Sequence, residues 1–334
     1  SFGFRMLLAS LIILFSIPGS RSMSILYTHK RGRETLNIAA AAYSDNPIRC
    51  LQYTFPNSHY KILSSVEVPC DSRNHTCAMF TAISVAEKKI VVSFRGTTTN
   101  EQLVVEGLES LENGVDWYGV GQVNRYFYEA TEILWKYLER HLEQPSSSHF
   151  RVLFTGHSLG GAMATLAAMK THVKKLRPKY LISLITYGEP RVGNRVFAHN
   201  TQAALADSWR VVHRADMVPH LPPCKDLGAG CDPMDFRRPY HHGIEIWYPD
   251  DMAGTTAFTA CTDSLDSPHC SNSLSPHYNW EDHRWYYGVY VFYHGQRDYC
   301  EIPFPEKDQQ GAKKASSSLS LPLLPLILFI SLIR

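Results

Sequence analysis

Charge is scarce in this sequence. Only 19% of its 334 residues are Asp, Glu, Lys or Arg, and 33 basic against 31 acidic side chains leave a net charge of +2. So even a balance argues against nucleic acid or another polyanion as the main partner. Between the two ends there is no internal repeat, no low-complexity linker and no block of like charge. Neither H-E-x-x-H nor a paired C-x-x-C occurs, so no metal and no cofactor is expected. The two long apolar runs, Leu7 to Ile17 and Leu319 to Ile333, are too short, or too broken by proline, to span a bilayer. What is abundant points the other way. Hydrophobic residues make up 44% and aromatics 12%, which excludes a disordered or collagen-like chain and supplies a large core.

The ends read as processing segments. Arg5 precedes the apolar run Leu7 to Ile17, Pro18 and Gly19 break it, and Ser20 and Ser22 offer small residues for cleavage. This is the layout of a signal peptide over residues 1–22, with its start at Met6 or upstream of Ser1. At the other end, residues 311–334 join small residues and a polar stretch to a hydrophobic tail. That order resembles a GPI-attachment signal, although the spacer is short and Arg334 closes the chain; a weakly structured tail or a mistranslated end is the alternative. Residues 23–310 remain, and one domain is expected there.

Within that domain, short β-rich runs alternate with longer helical patterns. Ile90 to Phe94, Arg151 to Phe154, Tyr180 to Tyr187, Trp209 to Val212 and Ile244 to Tyr248 read as strands. Gln122 to Leu142 and Ala162 to Val173 read as helices. Such alternation predicts an α/β fold, a mostly parallel central sheet with helices on both faces.

Gly156-His157-Ser158-Leu159-Gly160 matches G-x-S-x-G between a predicted strand and a predicted helix. A nucleophilic serine on so sharp a turn needs glycine two residues away on either side, because a side chain there would strike neighbouring backbone. The helix start also offers N–H groups where negative charge would develop. A serine hydroxyl needs a base, and the base needs an orienting acid, in the order Ser, Asp or Glu, His. Asp216 follows the strand Trp209 to Val212, at the end of the sheet where active sites gather. For the base, His283 satisfies the order, but so do His241, His242, His269 and His277, and spacing cannot choose among them.

Five ordered segments resemble the fungal-type (class 3) lipases, an α/β-hydrolase family. They are Phe94-Arg95-Gly96-Thr97-Thr98, Gly156 to Ala162, Thr186 to Asn194, Asp216 to Pro223 and Asp282 to Tyr286. The resemblance implies Ser158 as nucleophile, Asp216 as triad acid and His283 as base. It also implies an oxyanion hole made by Thr97 and Leu159. Two departures stand out. Leu103 occupies the region where relatives often carry tryptophan, and Asn124 stands where many have histidine. A lid would be drawn from residues 100–114, with Leu103, Val104, Leu108 and Leu111 on one face and Glu101, Glu106, Glu109 and Glu112 mostly opposite.

The eight cysteines are even in number, in a chain that reads as exported, so disulfides are expected. Nearest-neighbour pairing gives Cys70–Cys77, Cys224–Cys231 and Cys261–Cys270 and leaves Cys50–Cys300, the simplest of about 105 connectivities. The family resemblance supports Cys50–Cys300 and Cys261–Cys270 more than the other two. Asn74-His75-Thr76 is the one glycosylation acceptor, making Asn74 the expected site. His241 and His242 are expected beside the strand Ile244 to Tyr248, near the rim of the site.

Taken together, these features predict a secreted or GPI-anchored serine esterase that cleaves acyl esters of glycerolipids, triacylglycerol first, at a lipid–water interface. Contact with a membrane or lipid droplet is part of that expectation; nothing in the sequence speaks to oligomeric state. A phospholipase A1, a diacylglycerol lipase and a general carboxylesterase are the enzymatic alternatives, since a fold does not fix substrate. An inactive lipid-binding relative is the non-enzymatic one.

Overall fold

The computed structural model describes residues 27–71, 74–98, 114–224, 231, 235–253 and 257–301. The expected leader at 1–22, the tail at 311–334 and the lid segment except Gly114 lie outside the described residues.

Eight strands form the main sheet: β1 (Lys61–Pro69), β2 (Thr76–Ser84), β3 (Lys89–Phe94), β4 (Arg151–His157), β5 (Ile182–Tyr187), β6 (Ser208–His213), β7 (Ile244–Tyr248) and β8 (Thr259–Cys261). Their order in space is their order in the chain. From β3 to β7 every neighbour is parallel, while β1, β2 and β8 pair antiparallel at the two edges. The mostly parallel sheet read from the sequence is therefore present.

Parallel strands covered on both faces should carry apolar side chains in both directions, and these do. Ile90, Val92, Phe94, Val152, Phe154, Ile182 and Leu184 point to one layer, where α3 (Arg125–Leu142) and α4 (Leu159–Val173) cover them. The intervening Val91, Leu153, Ile185 and Tyr187, with Val211 and Ile246, point to the other. There they meet α1 (His29–Ala41) and α6 (Val291–Gln296); α2 (Pro47–Thr54) and α5 (Arg195–Ala204) complete the helices that matter below. In α3 the buried positions Phe127, Ala130, Thr131, Leu134, Trp135, Leu138 and Leu142 recur at helical spacing and form one stripe.

Several boundaries differ from the sequence pattern. The helix expected from Gln122 begins at Arg125, because Gln122 and Val123 pair with Asp116 and Val115 in a short ribbon. Asn124 caps that helix: its side-chain oxygen accepts the Phe127 N–H at 3.1 Å, so this departure from relatives serves as a helix cap. Strand β4 runs on past Phe154 to His157. Tyr180 lies in a single turn before β5 and is exposed.

All four expected disulfides form. Cα separations are 4.9 Å for Cys50–Cys300, 5.6 Å for Cys70–Cys77, 5.2 Å for Cys224–Cys231 and 6.3 Å for Cys261–Cys270. No helix among the described residues is long and apolar enough to cross a membrane.

Candidate active site

The carboxyl ends of β3, β4, β5 and β6 meet at one point on the sheet edge, because Phe94 pairs with Gly156, His157 with Tyr187 and Tyr187 with Val211. Ser158 follows β4 directly and is buried, with φ 59° and ψ −133°. A non-glycine residue in that region is strained by about 1–3 kcal/mol, so the surroundings must enforce it. The glycines on either side explain how the chain turns so sharply. A Cβ on Gly156 would collide with the Gly160 carbonyl, and one on Gly160 would collide with the Phe94 carbonyl. The turn is fixed by Ser158 N–H donating to the Tyr187 carbonyl at 2.9 Å and Gly161 N–H donating to the Ser158 carbonyl at 2.9 Å.

Asp216 lies just beyond β6 and is fully buried. Its Oδ1 accepts the Val218 N–H at 2.9 Å; its Oδ2 accepts the Tyr286 hydroxyl at 2.6 Å and faces His283 Nδ1 at 3.0 Å. Burial alone would raise this carboxyl. The His283 ring and the hydrogen bonds from His283, Tyr286 and Val218 outweigh burial and hold it below the usual carboxylate range. A carboxylate can only accept, so Nδ1 of His283 carries the proton and Nε2 is left as the basic nitrogen.

His283 sits in the single turn Glu281–Arg284. That turn is stitched to the Asp216 loop by Asp282, whose Oδ2 accepts the Ala215 N–H at 3.1 Å and the Asn279 amide at 2.8 Å. Gly188, just after β5, makes the acid–base contact sterically feasible. Its φ is +55°, and a Cβ there would lie 2.7 Å from both Asp216 Oδ2 and His283 Nδ1.

The turn after β3 closes the site from the other side. A Cβ on Gly96 would crowd the His157 carbonyl and lie 3.2 Å from the Ser158 Cβ. Thr97 is the next residue, and Leu159 is the first residue of α4; both are partly buried. Of the residues singled out from the sequence, Asp216 meets His283, whose ring stacks on His157, the neighbour of Ser158; Thr97 and Leu159 adjoin Gly96 and Ser158 in the chain. The other candidate histidines do not meet Asp216. His241 and His242 flank β7 as expected, but they are buried, not exposed at a rim. His241 Nε2 meets the Pro219 carbonyl at 2.6 Å, and His242 Nε2 meets Glu189 at 3.1 Å.

A family model described as Lipase (class 3) matches residues 91–226. A lipase of Caenorhabditis elegans is 40% identical over 285 residues, covering 79% of this chain and 80% of that protein. The chain belongs to the class 3 lipase family. A lipase of Rhizopus niveus is 31% identical over 207 residues, covering 61% of this chain and 49% of that protein. Among solved structures, the lipase of Rhizopus microsporus var. chinensis superposes with a TM-score of 0.65 at 25% identity, over 81% of this chain and 94% of that one. The lipase described here is accordingly a carboxylic ester hydrolase with an α/β-hydrolase fold.

A second polar cluster underpins the site of this lipase without touching Ser158. The Arg191 guanidinium donates to the carbonyls of His220 at 2.8 Å and Pro222 at 3.0 Å, and to both oxygens of Asp266 at 3.0 and 2.9 Å. It thereby holds the segment that follows Asp216. Residue types alone give no sign of Asp266, of Tyr43 or of the ring contact between His157 and His283; Tyr286 and Arg191 stand inside matching segments, but spacing assigns them no partner. Among the described residues, one group has the spacing to surround a cation, Glu245 with Cys261 and Cys270, and both cysteines are in a disulfide.

Proposed function

We propose that Ser158, Asp216 and His283 are a catalytic triad that hydrolyses acyl esters of glycerolipids, triacylglycerol foremost, at a lipid–water interface. The reading rests on one observation above the others: a buried Asp216 paired with His283 Nδ1 beside a serine held at φ 59°. The Ser158 hydroxyl attacks the ester carbonyl and its proton passes to His283 Nε2. The tetrahedral oxyanion is bound by backbone N–H groups of Thr97 and Leu159 and by the Thr97 hydroxyl. Collapse expels the glyceride alkoxide, which takes the proton from His283, and leaves an acyl-serine. Water then attacks the acyl-serine with His283 again as base, releasing fatty acid.

The substrate class is supported by a relative named for it, a secreted mono- and diacylglycerol lipase of Fusarium solani, 34% identical over 146 residues, 43% of this chain and 42% of that protein. A solved fungal lipase–inhibitor complex, described as a model for interfacial activation in lipases, superposes at TM-score 0.66 and 25% identity and supports action at an interface. Four disulfides and an exposed Asn74 support an exported, glycosylated protein whose residues 23–310 form the catalytic domain.

Full-length protein made in a eukaryotic secretory host, assayed on triolein emulsion and soluble p-nitrophenyl butyrate, tests the reading. Turnover of triolein that Ser158→Ala reduces by at least about 10⁴-fold while still folding is the expected result. Turnover of the butyrate alone would move the enzyme to a general esterase, and release of only the sn-1 chain from phosphatidylcholine would make it a phospholipase. Activity unaffected by Ser158→Ala would remove the triad.

A further inference from the structure

Tyr43 is buried just beyond α1, on a segment distant in sequence from every residue assigned above. Its ring is held edge-on by Phe292 of α6, with centroids 5.5 Å apart. Its hydroxyl lies 3.0 Å from His157 Nδ1, and Gly96 packs so close that a Cβ there would lie 2.3 Å from the same oxygen. On the far side of its ring, His157 Nε2 is 2.8 Å from the His283 carbonyl. A carbonyl can only accept, so Nε2 bears the His157 proton, Nδ1 is the acceptor, and Tyr43 O–H donates. The result is one directed chain, Tyr43 to His157 and His157 to the main chain of His283, with Gly96 packed against the Tyr43 oxygen.

The rings add a second contact. His157 stacks on His283 with centroids 4.5 Å apart and 24° between planes, while Tyr286 meets His157 edge-on at 5.8 Å.

We infer that Tyr43 and His157 are positioning residues that fix the oxyanion turn and the general base at their working distances from Ser158. The inference rests on the triad reading. Each segment the chain touches is a catalytic one: Gly96, packed on Tyr43, precedes Thr97, His157 precedes Ser158, and the final acceptor is His283 itself. Space alone could be filled by apolar side chains; these polar atoms are buried, and their bonding capacity goes to the segments that must be held together. His157 must also stay uncharged while His283 takes up a proton against its face. Burial, then the neighbouring His283, push the His157 imidazole down to about 3, against the opposing hydrogen bond to the His283 carbonyl and the charge of Asp216, so it is neutral near neutral pH.

Tyr43→Phe deletes one hydroxyl, which strands His157 Nδ1 and removes the oxygen packed against Gly96. Misplacement of a catalytic group by an ångström typically costs about 10²-fold in rate. With p-nitrophenyl butyrate, Tyr43→Phe should lower kcat by roughly 10–100-fold with KM unchanged. His157→Phe should do the same, and His157→Gln, whose amide still reaches the His283 carbonyl, should recover several-fold. The double variant Tyr43→Phe/His157→Phe should be no slower than the slower single, because both break one chain. A kcat within about twofold of the parent, a loss carried by KM, or losses that multiply would each overturn the inference. On the unaltered enzyme, ¹⁵N-detected imidazole spectra should show His157 neutral and protonated on Nε2 from about pH 4.5 to 8. An Nδ1–H tautomer, or titration near the ordinary histidine value, would overturn it however the variants fold. Ser158→Ala separates the two levels of the argument: activity surviving there removes the triad, whereas activity lost there but intact in Tyr43→Phe removes only the positioning role.

Discussion

Asp216 and Asp266 are both buried carboxylates held below the usual range, yet they face different partners. Asp266 meets Arg191 with both oxygens and also accepts the His241 N–H at 2.9 Å and the Asn272 amide at 2.9 Å. Arginine does not release its proton, so this pair is permanent and its consequence is mechanical. It pins the chain after Asp216 through the carbonyls of His220 and Pro222. Asp216 faces a histidine, a side chain able to accept and release a proton, so its consequence is chemical. One fold thus uses the same buried acid as a rivet and as a switch, and the difference lies in the partner.

The largest effect should come from exchanging each acid for its amide. Asp216→Asn presents an N–H or a rotated amide to His283 and favours the wrong tautomer; kcat should fall by about 10⁴-fold while the melting temperature moves by only a few degrees. Asp266→Asn leaves Arg191 without its counter-charge, at a cost of about 3–5 kcal/mol. Its melting temperature should drop on the order of 10 °C, with kcat per folded molecule within about tenfold of the parent. Equal effects of both substitutions on either readout would break the distinction.

Acid should weaken both regions together. Burial, ahead of the charges around them, lowers His157 and His220 to about 3, below the unfolded histidine value. Their contribution to stability is complete above about pH 6.5 and is lost as pH falls toward 3, because the unfolded chain takes up protons that the folded one refuses. Asp216 and Asp266, held low in the folded state, act in the same direction below about pH 4. Denaturant melts between about pH 8 and 4 should show stability falling from near 6.5 and more steeply at the acid end. Stability that rises on acidification would contradict this.

The smallest effect sharpens the Asp216 side alone. Tyr286→Phe removes one of the donors on Asp216 Oδ2 and should lower kcat several-fold with KM unchanged, since the Val218 N–H and His283 remain. A loss as large as that of Asp216→Asn would mean that Tyr286 governs the placement of Asp216.

Much of this was legible in the residues. The elbow is local, so Gly156, Ser158 and Gly160 announce it, and the alternating strands and the stripe of α3 follow from spacing. The base was not legible that way: several histidines satisfy the order, and the segment resemblance singles out His283, which the structure places on Asp216 across 67 residues. The start of α3 was misjudged because Gln122 and Val123 continue a helical spacing but are claimed by a strand partner. His241 and His242 read as rim residues beside their strand; both are buried instead, with Nε2 of each against Pro219 and Glu189 respectively.

What the sequence determined by itself is what short-range chemistry can encode: the period of strands and helices, the glycines that permit one sharp turn, and the residue types able to move a proton. Which histidine meets which acid, that Tyr43 reaches His157 from 114 residues away, and that Asp266 meets an arginine were decided only by tertiary structure. The reason is physical. A buried polar atom requires a partner within about 3 Å, and for segments far apart in the chain only the packed sheet and its covering helices bring one there.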